Sequence, residues 1–389
     1  MRKIFMDQAS TTKVDPEVVK EMLPIFSEYF GNPSSIHQFG REALDFLNKS
    51  RKNVADLLHA KTDEIIFTAG GTESDNIAIK GVSYKNKNKR KLKGPHIITS
   101  VIEHPAVLET VRHLETQGFE AKYLTVDKDG LIRIEDLSDS ISKNTFLISI
   151  MYANNEIGTI EPIKEIGKIS KENDIFFHTD AVQAIGKIPI DVKKLNIDLL
   201  ALSSHKIYGP KGIGASFVRE GVKLEPFVHG GGHEGGIRSS TYNMPGIVGL
   251  GKACKLISER MNTDIIYIKK LRDDLIKNIL KIDESYLNGH PEKRLVNNAN
   301  FRFNGVEGES LLLSLDEQGI ATSTGSACSS MKLKASHVLT AIGLDPVEAH
   351  GSLRFSLGRE NTNDEVKYVS KIVPEIVGKL RKISPLWNK

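Results

Sequence analysis

Between residues 64 and 203 the chain switches repeatedly between two hydrophobic periods, and this limits its fold more than any other feature. Short apolar runs at 64–68, 96–100, 121–126, 145–151, 175–178 and 197–202 have the length of buried strands. Between them, 105–117 and 162–173 carry helical spacing, and Ala69-Gly70-Gly71-Thr72-Glu73-Ser74-Asp75-Asn76 opens a further helix. Strands separated by helices pair through crossovers, so the pattern predicts an α/β layer with a mostly parallel sheet. In such a sheet the ligand sits off the carboxyl ends of the strands. Polar residues gather at those ends: His104, Asn154-Asn155-Glu156, Asp180 with Gln183, and Ser203-Ser204-His205-Lys206.

At 389 residues the chain exceeds what one ordinary core supports, which predicts two domains. Ile4-Phe5-Met6 reads as a short strand entering a polar turn, and Asp15-Pro16 as a helix N-cap followed by Pro at N1. After the glycine-rich stretch Gly230-Gly231-Gly232, helical spacing runs from 247 to 282, with a break expected at Asn262-Thr263-Asp264. This is the predicted bridge into a second domain, with strands at 300–303 and 352–356 and helices at 308–317 and 364–382. The basic run 85–93 reads as a solvated loop. A net charge of +4 is too mild to point to nucleic acid.

The first residues show no signal peptide, and no apolar run is long enough to span a bilayer, so a cytoplasmic protein is expected. The chain has two cysteines, Cys254 and Cys328, which make no disulfide framework and suit a reducing compartment. Cys254 falls in helical spacing and reads as a packed thiol. Cys328 lies among small polar residues, Thr322-Ser323-Thr324-Gly325-Ser326-Ala327-Cys328-Ser329-Ser330, where a mobile loop would leave its thiol exposed.

A lysine held off water beside positive charge keeps a neutral amine, able to attack a carbonyl. Small residues at the turn 69–72 leave backbone N–H groups at a helix N-terminus, where a phosphate binds, and the missing G-K-[ST] ending excludes a Walker loop. With Asp180-Ala181-Val182-Gln183 on the neighbouring strand end, Lys206 and its serines suggest pyridoxal phosphate. That coenzyme needs an amine, a carboxylate for the pyridine nitrogen, a partner for the phenolic oxygen and a phosphate cradle.

Nearly the whole chain resembles the class I cysteine desulfurases, the IscS/NifS group of fold type I pyridoxal phosphate enzymes (aminotransferase class V). The motifs include Ala9-Ser10-Thr11-Thr12, Gly31-Asn32-Pro33-Ser34-Ser35, Thr72-Glu73-Ser74-Asp75-Asn76, Glu103-His104, Asn154-Asn155-Glu156-Ile157-Gly158 and His178-Thr179-Asp180-Ala181-Val182-Gln183. Further along are Ser203 to Gly212, Gly230-Gly231-Gly232, Ser326-Ala327-Cys328 and Arg354-Phe355-Ser356-Leu357-Gly358. The resemblance implies a large coenzyme-binding domain, 16–262, with a mostly parallel mixed sheet between helices. It also implies a smaller α+β domain, 1–15 and 263–389, carrying the cysteine loop at about 322–335.

By matching position, Lys206 looks like the Schiff-base lysine, Asp180 the partner of the pyridine nitrogen and Gln183 that of the phenolic oxygen. His104 would stack on the ring and assist proton transfer, while Gly71, Thr72, Ser203 and His205 would hold the phosphate. Thr241 would reach the phosphate of a neighbouring subunit, which implies a homodimer. Asn155, Arg354 and Asn32 would position the substrate, Asn155 also touching the coenzyme. Cys328 would take sulfur from L-cysteine as a persulfide, leave L-alanine, and pass the sulfur to an iron–sulfur scaffold or a tRNA thiolation enzyme. No resident metal is implied, Cys328 serving at most as a transient iron–sulfur ligand. The chain departs from the family at Gln8 (usually Asn or Tyr), Gly71 (usually Ala) and Ser240 (usually Gly), with Gly71 expected to be harmless and Ser240 to disturb the presentation of Thr241.

Overall fold

The structure, a computed structural model, describes residues 2–90, 94–325, 335–385 and 387, apart from the side chains of 88–90. A short strand β1 (Ile4–Phe5) leads to helices α1 (Pro16–Ser27) and α2 (Gln38–Leu58). Asp15 caps α1, accepting a hydrogen bond from Glu17 N at 2.7 Å, with Pro16 at the first helical position. The alternating region then follows: β2 (Ile65–Thr68), α3 (Gly71–Arg90), β3 (His96–Ser100), α4 (Pro105–Thr116), β4 (Glu120–Leu124), α5 (Ile134–Asp139) and β5 (Thr145–Ser149). It continues through α6 (Ile163–Glu172), β6 (Phe176–Asp180), β7 (Leu199–Ser203) and β8 (Gly214–Val218). Beyond it come α7 (Met244–Ile279), β9 (Ser285–Asn288), β10 (Asn298–Phe303), α8 (Gly308–Glu317) and β11 (Ile320–Ala321). The chain closes with α9 (His337–Ala341), α10 (Pro346–His350), β12 (Ser352–Ser356) and α11 (Asn363–Ile383).

Seven strands form one sheet in the order β2-β8-β7-β6-β5-β3-β4, with β8 antiparallel to both neighbours and every other pair parallel. The sheet is therefore mixed but mostly parallel. Strands β2, β5 and β7 are buried along their whole length, which is why they read as continuous apolar runs rather than as alternation; β8, equally buried, is Gly-Ala-Ser-Phe-Val and is not among the predicted runs. Because β2, β3, β5, β6 and β7 run the same way, the turns after Thr68, Ser100, Ser149, Asp180 and Ser203 emerge at one edge. That edge is where the site forms.

A second apolar core gathers Phe301, Phe303, Phe355, Leu311, Val369 and Ile4 around the antiparallel sheet β12-β10-β9 and the parallel pair β1–β11. Helix α7 serves both cores: Ile247, Leu250, Cys254 and Ile257 pack in the first, and Ile268, Leu271, Leu275 and Ile279 in the second. The break expected at Asn262-Thr263-Asp264 is absent, and α7 is one helix of 36 residues. Those three residues are mediocre helix formers rather than breakers, a disadvantage of a few tenths of a kcal/mol each that packing overrides. The predicted loop over the basic run is also corrected, since α3 continues through Lys85 to Arg90, leaving 91–93 outside the described residues. Lysine and arginine propagate helices well, and cations at a helix C-terminus oppose its dipole favourably. No helix among the described residues is long and apolar enough to cross a membrane.

Candidate active site

At the carboxyl edge of the sheet a cavity of 800 Å³ opens, lined among others by Gly71, Thr72, Ser203, His205, Lys211 and Arg238. Its size suits a cofactor together with a small substrate. One wall is the turn from β2 into α3, where the Thr68 and Ser74 hydroxyls lie 2.7 Å apart and tie the turn to the first helical residues. As the first residues of α3, Gly71 and Thr72 have no preceding turn of carbonyls, so their N–H groups are available to an anion. Gly71 is required by its neighbour: a Cβ there would stand 2.7 Å from Val182 Cγ2. The departure from the family's usual alanine thus matches the close approach of Val182.

The facing wall is the end of β7 and the turn after it. Lys206 Nζ donates to the carbonyls of Ala9 and Ser10, both at 2.6 Å. The same Ala9 carbonyl accepts from Gln183 Nε2 at 3.0 Å, while Gln183 Oε1 is buried without a partner. His205 Nδ1 lies 3.1 Å from Thr11 Oγ1, and Thr12 Oγ1 donates to the His205 carbonyl at 3.0 Å. The N-terminal turn is therefore a wall of the site. Two residues past the lysine, Tyr208 has φ +63°, a conformation that costs a non-glycine residue about 1 kcal/mol or more. It is held there by Thr12 Oγ1 on its amide at 2.8 Å, by Arg359 N donating to its hydroxyl at 3.1 Å, and by the Arg359 guanidinium 3.9 Å from its ring centre.

Asp180 ends β6, buried, with one oxygen accepting from Val182 N at 2.9 Å. Burial raises its pKa, and His104, when protonated, and Lys206 pull against that rise. His104 caps α4, its Nδ1 accepting from Ala106 N at 3.1 Å, which leaves any ring proton on Nε2. Burial lowers its pKa, Asp180 opposes this and Lys206 adds to it. His205 is pushed down to about 4 by burial and then by Lys206 and Lys211, so both imidazoles are neutral at neutral pH. Beside His104, Glu103 is raised by burial to about 8 even though one oxygen accepts from Ser100 Oγ at 2.7 Å and Met151 N at 2.9 Å.

Arg354 on β12 is buried; it donates to the Asn155 carbonyl at 2.9 Å and pairs with Asp7 Oδ1 at 2.8 Å, while its Nε has no partner. The structure thus brings Gly71, Thr72, Ser203, His205, Lys206, His104, Asp180 and Gln183 together at the sheet edge and links Arg354 to Asn155. Asn32 and Thr241 do not line the cavity: both are exposed, and Asn32 Oδ1 accepts from its near neighbour Ser34 N at 3.0 Å. Cys328 lies outside the described residues. Cys254 is buried in α7, and burial pushes its thiol up to about 12, as expected of a packed thiol.

The carboxylate of Asp7, the carbonyls of Ala9 and Ser10, and the Glu73–Arg238 ion pair at 2.9 Å were not singled out from the sequence. The motif Ala9-Ser10-Thr11-Thr12 marked the stretch, but a backbone carbonyl leaves no letter to read. For pyridoxal phosphate, the residues present fit. One edge of the sheet offers an amine, a buried carboxylate within its electrostatic reach and, lining a cavity of suitable size, a cradle of helix N–H groups, serine and histidine.

The class-V aminotransferase family profile matches residues 4–369. Cysteine desulfurase IscS of Methanosarcina thermophila is 56% identical over 388 residues, spanning 100% of this chain and 95% of that protein. Among solved structures, a NifS-like protein aligns with a TM-score of 0.90 at 38% identity, covering 97% of this chain and 100% of that one. SspA in complex with cysteine aligns at 0.81 and 40% identity, over 92% of this chain and 100% of that one.

Proposed function

The chain belongs to the class-V aminotransferase family as a pyridoxal-phosphate-dependent cysteine desulfurase of the IscS group, and we propose that Lys206, Asp180, His104, Arg354 and Cys328 carry its reaction. The reaction joins L-cysteine and the Cys328 thiol and yields L-alanine and a Cys328 persulfide. One C–S bond breaks, one S–S bond forms, and the thiol proton ends on alanine. When bound, the coenzyme supplies an aldehyde for the substrate amine and a ring that draws electrons from the bond broken beside it.

The chain's own groups do the rest. Lys206 would hold the aldehyde, and its free amine would take the Cα proton of the substrate. Asp180 would keep a negative charge for the pyridine nitrogen, Gln183 would serve the phenolic oxygen, and His104, neutral with its proton on Nε2, could donate that proton and take one back there. Gly71, Thr72, Ser203 and His205 take the phosphate. Arg354 takes the substrate carboxylate with the N–H groups left over from Asp7 and Asn155, and Asn155 lies beside it. Cys328, as thiolate, attacks the substrate sulfur.

The observation that carries this reading is the mutual electrostatic reach of Lys206, Asp180 and His104 at one sheet edge, beside an anion cradle. The separate apolar cores support a division into 16–262 and 1–15 with 263–389, α7 being shared between them. A second copy of the chain completes the site with Thr241 and Asn32. Supporting this, both residues are exposed and Asn32 lies in the sequence between exposed Phe30 and Ile36. An iron–sulfur scaffold or a tRNA thiolation enzyme then accepts the persulfide sulfur.

The test is substitution with separate readouts. Cys328→Ala should bind the coenzyme normally yet lose alanine formation by roughly 100-fold or more. Lys206→Ala should lose the covalent attachment that borohydride traps in the parent protein. Undiminished turnover of cysteine by Cys328→Ala would sink the assignment.

A further inference from the structure

A second, much smaller space lies beside Lys206, bounded by Gln8, Lys187, Tyr208, Asp264 and Asn297. Its volume open to a water-sized sphere is 20 Å³. About 10–15 Å³ on that measure suffices for one water molecule, so there is room for one. Two acceptors at this space are buried and unsatisfied, Gln8 Oε1 and Asn297 Oδ1. The side chain of Lys187, half-buried on the turn after β6, makes no hydrogen bond or ion pair among the described residues. Gly186 before it has φ +75°, and a Cβ there would stand 3.0 Å from Ile257 Cδ1, so the turn is pressed against α7 with no room to retreat.

Three polar groups without partners around a space for one water make a closed account. A water molecule has two hydrogens for the two amide oxygens and a lone pair for an ammonium N–H. Buried polar groups are seldom left unsatisfied, and a buried ammonium least of all. Burial, then the charge of Lys206, pushes Lys187 down to about 7; a water backed by two amide oxygens opposes that shift and keeps the ammonium charged. The repulsion between the two lysines is mutual, so what Lys187 retains Lys206 loses. The other groups facing the pair are Asp180 at the end of β6, His104 at the start of α4, His205 on the same turn as Lys206, Tyr208 after it, and Asp264 on α7. Of these only Asp180 and Asp264 carry negative charge, and burial raises the pKa of both.

We propose that Lys187 is a positioning residue for the desulfurase reaction: fixed by one buried water on Gln8 and Asn297, its ammonium keeps the amine of neighbouring Lys206 in the neutral form that reacts. The inference rests on Lys206 being the lysine that carries the aldehyde.

The experiment reads Lys206 without turnover. In coenzyme-free protein, the rate of acetylation of Lys206 is measured against pH by mass spectrometry, and its midpoint gives the titration of that amine. Lys187→Met should raise the midpoint by about one pH unit, the size of effect expected from losing one nearby like charge. Lys187→Arg, which keeps a charge at every pH used, should restore it. Gln8→Leu, which leaves both lysines in place, should shift it upward in part. A midpoint unmoved or lowered in Lys187→Met, or one that Lys187→Arg fails to restore, would overturn the proposal. Borohydride trapping of the coenzyme on the Lys187 variants is scored separately: attachment at Lys206 with an unmoved midpoint refutes Lys187 alone, whereas attachment elsewhere refutes the role of Lys206.

Discussion

Glu103 shows how burial sets a titration next to the reacting groups. It lies against His104, and the interior penalises its charge enough to raise it to about 8 from the usual 4.5, despite two hydrogen bonds to one oxygen. Between those two values the folded chain holds a proton that the unfolded chain has released. Stability from this group is therefore full below pH 4.5 and is lost as pH rises through about 8. Glu103→Gln, which cannot ionise, should flatten the fall of Tm across that window, as followed by calorimetry at stepped pH. An unchanged slope would show that Glu103 is ionised in the folded protein. His178, fully buried and pushed down to about 3, works in the opposite sense: its contribution is present above pH 6.5 and lost as acid approaches 3. At this scale Lys206, Asp180, Gln183 and His104 were legible because each follows an apolar run by a turn, whereas Asp7 had no local pattern to mark it.

Helix α7 is the element on which local signals and packing disagree. Asn262, Thr263 and Asp264 suggest an end, yet the helix runs about 54 Å at roughly 1.5 Å per residue and inserts its two halves into different cores. Thr263, exposed, hydrogen-bonds its own helix through Oγ1 to the Arg260 carbonyl at 2.8 Å. Thr263→Pro removes the N–H that continues the helix and clashes with the preceding turn, so it should cost about 3 kcal/mol in urea unfolding. Thr263→Ala should cost nothing or stabilise by a few tenths. If Thr263→Pro proved as stable as the parent, the two halves of α7 would be mechanically independent. The same override explains α3, where a run read as loop by its charge continues as helix because lysine and arginine suit a helix C-terminus.

For the molecule as a whole, the surface around Gly31–Ser35 stands out. Phe26, Phe30 and Ile36 are 64%, 65% and 92% exposed, and Phe30 lies 5.5 Å from Phe39, ring centre to ring centre. A folded chain seldom leaves such a patch in water unless something covers it. On the reading that a second copy does so, the double variant Phe30→Glu with Ile36→Glu should sediment as a monomer. It should also release coenzyme more readily, because Thr241 would no longer reach a neighbouring phosphate. A variant that remains dimeric would place the subunit contact elsewhere.

The layered α/β architecture, the sheet edge at which the chemistry gathers, and the family were all legible in the order of the residues. All three rest on signals a short window contains: a switch of hydrophobic period, a strand followed by polar residues, and motifs of two to ten residues. Which distant groups share that edge emerges from the folded chain alone. Arg354 meets Asp7 across 347 positions, Lys206 meets the Ala9 carbonyl across 197, and Lys187 shares a water-sized space with Gln8 and Asn297. Such contacts follow from how the N-terminal strand docks into the second core and from α7 passing between the two cores. Docking is governed by apolar area buried over the whole surface, so no residue in either partner announces it locally.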